Sequence, residues 1–85
     1  MNQSLPAIEQ VVIDMLQSKM GIDKKRISLQ AHLMRGLGLD SLDAVELIVE
    51  VEKQFDITIS DEELEEIVTL HDLIACIQEK LSVDG

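Results

Sequence analysis

Residues 36–52 read GLGLDSLDAVELIVEVE, and the spacing of the apolar residues in this stretch decides the fold. Ala44, Leu47, Ile48 and Val51, continued by Phe55, recur at intervals of three and four. At roughly 100° per residue this spacing lays them along one helix face. They form an ordinary core stripe on a helix that runs from Asp40, as N-cap, to about Asp56. Leu42, Val45 and Val49 make a second stripe about 135° from the centre of the first. Glu46 and Glu52 flank it, and Asp43 and Glu50 lie further round. A helix in a thin bundle has little reason to bury two faces. The second stripe is therefore either a docking strip bordered by acids or a surface tucked beneath a neighbouring loop or short helix. Ser41 stands at the first helical position beside it, after Gly36-Leu37-Gly38-Leu39, a stretch expected to be flexible. From position alone, Ser41 is either a simple helix-start residue or an exposed, approachable hydroxyl.

The same spacing recurs on both sides. A first helix is expected with Ser4 as N-cap and Pro6 in its opening turn. It places Ile8, Val11, Val12, Met15 and Leu16 on one face and ends near Gly21. Ser60-Asp61-Glu62-Glu63 matches a capping box and opens a short third helix to about Val68. Thr69, with Asp72 three residues on, starts a fourth, whose Leu70, Leu73, Ile74, Ile77 and Leu81 form a stripe. Strict alternation is absent, so no strand is expected. The fold class is all-α: a small four-helix bundle with a long first loop and a short third helix, forming one domain over residues 1–85. The connection from Met20 to Leu39 is too long to be idle. Its Ile22, Ile27, Leu29, Leu33 and Leu37 would pin it across the bundle as an ordered loop with room for a helical turn, and Lys24-Lys25-Arg26 reads as a solvated turn.

With 85 residues, 46% of them hydrophobic, the chain supports one thin core. A domain of this size buries about 60% of the surface that its unfolded chain exposes, which leaves little room for a deep enclosed active site. The net charge of −10 argues against nucleic acid, whose phosphates need Lys and Arg, and against anionic lipid. It favours partners with basic surfaces. The acids are concentrated after residue 39: residues 40–85 carry 14 acidic and 2 basic residues, so the crowding falls on the helix that begins at Asp40. Cys76 has no partner for a disulfide or a zinc site and reads as a small packing residue. Asp61 to Glu66 lacks the glycine of an EF-hand, so no metal site is expected. A hydrolase built on Ser41, His32 or His71 and an aspartate would need an enclosed triad that an 85-residue bundle cannot easily house. Both histidines are expected at the surface, and no catalytic activity is expected. Without a signal-like start or a run of about 18 apolar residues, a cytoplasmic monomer that does not insert into membranes is expected.

The frame from Gly36 to Glu52, followed by Phe55-Asp56-Ile57 and the acidic Asp61-Glu62-Glu63, closely resembles the acyl carrier proteins of fatty acid and polyketide synthesis, of the stand-alone type. The similarity spans essentially the whole chain. It implies that Ser41, in the D-S-L motif, carries 4'-phosphopantetheine derived from coenzyme A. It also implies that the second helix is the recognition helix, here Asp40, Leu42, Asp43, Val45, Glu46, Val49 and Glu50. The partners implied are a phosphopantetheinyl transferase and acyl-processing enzymes with basic docking surfaces. The acyl chain would enter between the second and third helices, against Leu47, Val51, Ile59, Leu64 and Ile67. The nearly ring-free core, with Phe55 its only aromatic residue, suits such a guest. Arg35 and Gly36 stand where many members have acids, Leu39 replaces the usual alanine, and Ser60 replaces a frequent proline; these changes point to a specialised carrier. The competing readings are a peptidyl carrier of aminoacyl groups and an unmodified acidic helical adaptor.

Overall fold

Asp40 starts the central helix because its side chain supplies what the first turn lacks, an acceptor for an orphan N–H. Its Oδ1 accepts from the Asp43 N–H at 2.8 Å, and Asp43 returns the bond by accepting from the Asp40 N–H at 3.4 Å. The computed structural model describes residues 5–83. Its elements are α1 (Leu5–Ser18), a 3-10 turn (Lys24–Arg26), α2 (Ser41–Phe55), α3 (Asp61–Glu66) and α4 (Leu70–Val83). Ser4, expected to cap α1, lies outside the described residues. The same reciprocal device starts α3, between Ser60 and Glu63, and α4, between Thr69 and Asp72. α2 ends at Asp56, held in the left-handed region at φ 55°.

The core forms where three apolar faces meet. α1 contributes Ile8, Val12, Met15 and Leu16, α2 contributes Leu47, Ile48, Val51 and Phe55, and α4 contributes Leu70, Leu73, Ile74 and Ile77. The long α1–α2 connection adds Leu33, Leu37 and Leu39, all buried, with Ile22, Ile27 and Leu29 packed against the core. Its backbone is stitched to the α3–α4 junction. The Leu33 N–H donates to the Val68 carbonyl at 2.9 Å, the Leu70 N–H to that of Ala31 at 3.0 Å and the His71 N–H to that of Leu29 at 2.8 Å. His32 and Thr69 thereby form an isolated antiparallel bridge, and no longer strand occurs among the described residues.

Three expectations are corrected by this packing. α3 stops at Glu66 rather than near Val68, because Val68 gives its N–H to Asp72 and offers its carbonyl to Leu33 and so leaves the helix. His32 is half-buried rather than a surface residue, and its Nδ1 accepts from the N–H groups of Met34 and Arg35, each at 3.2 Å. The Gly36–Leu39 segment, expected to be flexible, is packed against the core. Gly36 lies so close to the His32 backbone that a Cβ would sit 2.8 Å from its carbonyl oxygen. Leu37 and Leu39 are buried on either side of Gly38. Among the described residues no helix is long and apolar enough to cross a membrane.

α3 is tied to α4 by Glu63, which pairs with Lys80 at 2.9 Å while capping its own helix. The bond from Lys80, reinforced by the Ser60 N–H, holds its carboxyl down to about 2. Because the folded value lies below the ordinary 4.5, the ionised form stabilises the fold above pH 4.5, and that contribution is lost as pH falls through about 2. Glu63→Gln keeps the capping acceptor but loses the charge. It should lower the melting temperature at pH 7, and the difference from wild type should shrink steadily as pH falls from 4.5 toward 2. Thermal unfolding of both proteins across that range checks this.

Candidate functional site

Ser41 is the first residue of α2, and it is exposed. Asp40 performs the cap, so the serine hydroxyl has no structural duty in starting the helix. The Asp43 N–H is consumed by the cap and that of Ala44 by the Asp40 carbonyl. The N–H groups of Ser41 and Leu42 have no protein partner among the described residues, as expected of a first turn.

Beside this serine opens an apolar cavity of about 310 Å³. Ser41 forms part of its rim; Ala44, Leu47 and Ile48 of α2, Leu64 and Ile67 from the α3 region, and Leu33 and Met34 from the loop make up most of the wall. The opening exists because α3 is short and contributes no fully buried residue, with Leu64 and Ile67 only half-buried. Of the five residues expected around an inserted chain, Leu47, Leu64 and Ile67 line this cavity. Val51 and Ile59 do not; they lie further along α2 and beyond its end, sealed in the core at 0% and 8% exposure. The loop wall of Leu33 and Met34 was missed. A signal for it was present, since Leu33 was expected to pin the loop across the bundle, but only the bond to Val68 reveals which side of the cavity it covers.

The second stripe of α2 is free. Leu42 is 75% exposed, Val45 55% and Val49 41%, so neither the loop nor α3 covers them. With Met34 at 40% they make an apolar strip beside the cavity mouth. Its acids are unequal. Glu46 is exposed and bordered by Lys19, Met20, Val49 and Glu50 in a shallow groove. Glu50 pairs with Lys19 at 3.4 Å, and Asp40 and Asp43 are engaged in the cap. Glu52, expected to flank the strip, turns instead to accept from the Ile59 N–H at 2.8 Å, bracing the α2–α3 connection.

The remaining chemistry-bearing residues do not converge on Ser41. His71 is exposed on α4, and His32, though in the cavity wall, has its Nδ1 committed to backbone. Cys76 lies on α4 with its Sγ 4.0 Å from Glu63 Oε2, and burial, reinforced by the Glu63 charge, pushes the thiol up. That disfavours the thiolate needed for nucleophilic work. Among the described residues no group of three His, Cys, Asp or Glu side chains could hold a metal ion.

A family model described as "Phosphopantetheine attachment site" matches residues 10–77. The chain is 43% identical over 72 residues to an acyl carrier protein of Karelsulcia muelleri, covering 85% of this chain and 82% of that relative. It is 44% identical over 73 residues to acyl carrier proteins of Chlorobium phaeobacteroides and Chlorobium phaeovibrioides, covering 86% of this chain and 94% of each.

Filling the cavity should be tolerated where filling the core is not. Ala44→Leu should leave stability unchanged or raise it by up to about 1 kcal/mol. Val51→Leu, one methylene larger in a sealed position, should cost about 1–3 kcal/mol. Urea unfolding of the two variants makes the comparison.

Proposed function

The chain belongs to the phosphopantetheine-binding acyl carrier protein family, and from that premise we propose that Ser41 is the residue that carries the arm. The protein is a carrier without catalytic activity of its own, built to hold acyl groups on 4'-phosphopantetheine. When bound, that group supplies a terminal thiol on which an acyl chain is held as a thioester. The observation that carries the assignment to Ser41 is its position: an exposed hydroxyl, relieved of capping by Asp40, on the rim of an apolar cavity.

The residues around Ser41 suit the group. A phosphodiester on the serine oxygen would be favoured by the unclaimed N–H groups of Ser41 and Leu42 and by the positive end of the helix dipole. Asp40 and Asp43 oppose it, which favours an exposed phosphate over a buried one. Modification would join Ser41 Oγ to the phosphorus of the pantetheine phosphate. The pyrophosphate bond of coenzyme A breaks, the adenosine bisphosphate leaves, and the hydroxyl proton passes to the transferase or solvent. A slender alkyl chain entering beside Ser41 would meet Leu33, Leu47, Leu64 and Ile67. Burial there would contribute about 0.8 kcal/mol for each CH₂ removed from water.

Partner enzymes would dock on Leu42, Val45 and Val49, steered by the acids of α2. Glu46 is the acid best placed for this, since Asp40, Asp43 and Glu50 already have partners within the chain. The partners expected are a phosphopantetheinyl transferase and acyl-processing enzymes with basic faces.

Incubation with coenzyme A and a phosphopantetheinyl transferase should add the mass of one phosphopantetheine to the wild-type chain and nothing to Ser41→Ala, which should fold normally. A retained mass shift in the variant would transfer the assignment to another residue. In a second test, Glu46→Lys should slow association with a partner enzyme, and the loss should shrink as salt screens the wild-type attraction. Glu79→Lys, on exposed α4 surface, should matter less. Equal effects in stopped-flow binding would mean that net charge and not this face guides docking.

A further inference from the structure

The turn that delivers Ser41 is held from outside by one side chain. Within it, the N–H groups of Gly36 and Leu37 both donate to the His32 carbonyl, at 2.7 and 3.0 Å, and the Leu39 N–H makes a longer bond to Leu33 at 3.4 Å. Those ties are internal to residues 32–39. Leu37 and Leu39 anchor the turn to the core by burial, but apolar contact alone leaves its rotation about that anchor weakly specified. The Leu33 N–H ties the start of this segment to Val68 at 2.9 Å; at its far end the side-chain link to another part of the fold comes from Arg26, at the end of the 3-10 turn, whose Nη2 donates to the Gly36 carbonyl at 3.2 Å. The same guanidinium lies over Gly38, where a Cβ would fall 3.2 Å from Nη2. Gly38 has φ +76°, a conformation that admits glycine readily and other residues at a cost.

The 3-10 turn is itself prepared for this role. Asp23 caps it by accepting from the Lys25 N–H at 3.0 Å, and the Arg26 and Ile27 N–H groups close back on the carbonyls of Asp23 and Lys24. Lys24 and Lys25 are exposed, as a solvated turn requires. Arg26 is exposed as well, but its guanidinium reaches the chain's own backbone just ahead of the Asp40 cap.

We infer that Arg26 is a positioning residue for reaction at Ser41: by clamping the Gly36–Gly38 turn it sets the direction in which Asp40 and Ser41 enter α2. The inference rests on Ser41 being the attachment residue. Its chemical consequence lies in the transfer step, where the Ser41 oxygen must approach the phosphorus in line with the breaking pyrophosphate bond. A small misdirection of the nucleophile there costs rate without weakening binding. Docking cannot mimic this effect. Arg26 adds positive charge to an acidic carrier, so its removal, if it alters association with a basic-faced enzyme at all, strengthens it.

The test compares wild type, Arg26→Met and Arg26→Lys as apo proteins, with coenzyme A and a phosphopantetheinyl transferase, reading initial rates by intact mass. Met keeps most of the stem but has no donor, and Lys restores a donor and the charge. Arg26→Met should lower kcat about fivefold, the equivalent of one hydrogen bond of about 1 kcal/mol, with KM for the carrier unchanged. Arg26→Lys should recover most of the loss. In the unmodified protein, Arg26→Met should also speed amide hydrogen exchange at Leu39 and Asp40 while leaving Leu73 and Ile77 in α4 protected. A wild-type kcat in Arg26→Met overturns the inference, as does a change confined to KM. Failure of the Ser41 assignment looks different: wild type would gain no mass, or Ser41→Ala would gain it. Exchange at Leu39 and Asp40 then decides by itself whether Arg26 holds the turn, and unchanged exchange overturns that too.

Discussion

Burial of Leu33, Leu37 and Leu39 is the constraint on which the rest of this structure depends. Three helices of 14 or 15 residues and one of six leave one side of a thin core uncovered. The α1–α2 connection closes that side. Fully burying a leucine is worth about 1.5–3 kcal/mol, so exposing all three would remove an amount comparable to the roughly 5–15 kcal/mol net stability typical of a folded domain. The same burial has positional consequences. Leu33 brings its backbone to Val68, which pulls the chain out of α3 and leaves the gap that becomes the cavity. Leu37 and Leu39 lead the chain from the core to Asp40, so that Ser41 emerges at the rim of that gap. Core packing and presentation of the serine are thus one arrangement.

Acids that look excessive in composition prove to be distributed between two tasks. Asp40, Asp43, Glu63 and Asp72 serve in three reciprocal caps, Glu52 braces the α2–α3 connection, and Glu50 and Glu63 find lysines. The backbone N–H groups of Thr69 and Val68 hold the Asp72 carboxyl below its ordinary range, which is the sign expected of a charge that the fold uses. Crowding of −12 over residues 40–85, from 14 acidic and 2 basic residues, is therefore partly offset at the helix starts, where the dipole favours negative charge. Of the acids left facing solvent, Glu46 borders the apolar strip on α2, while Asp61, Glu62, Glu65, Glu66 and Glu79 lie on α3 and α4. Acids already bonded to the backbone would have to give up those bonds to meet a partner, so they would contribute less to the proposed docking than their charge suggests.

Much of this was legible in the sequence because it rests on local rules. Periodicity of three and four places the α2 core stripe, and the N-cap at Asp40, the capping box at Ser60 and the helix start at Thr69 can be read residue by residue. The difficulty of burying two faces in a thin bundle left Leu42, Val45 and Val49 either exposed or tucked beneath a neighbour, and the structure shows them exposed. What escaped depends on contacts between groups that periodicity does not connect. The end of α3 is set by Leu33, far earlier in the chain. His32 looked like a surface residue until its ring was seen to accept from the turn that follows it. Glu52 looked like a border of the strip until Ile59 claimed it, and the Gly-Leu-Gly-Leu run read as flexible because composition cannot show that Gly36 packs against the His32 backbone. The cavity is the largest shift: it opens toward the loop at Leu33 and Met34, while Val51 and Ile59 belong to the sealed core.

What joins the serine to the cavity is a single geometric relation, an exposed hydroxyl and an apolar void that share a rim at the start of α2. The most direct test is an NMR measurement on the protein carrying a saturated acyl chain on the arm proposed at Ser41, recording nuclear Overhauser contacts from the chain to side-chain methyl groups. Contacts to Leu33, Leu47, Leu64 and Ile67, with none to solvent-facing Leu42 and no displacement of Val51, are the predicted result. A chain that contacts no methyl group of the cavity, or that reaches Val51 and Ile59 instead, would contradict it.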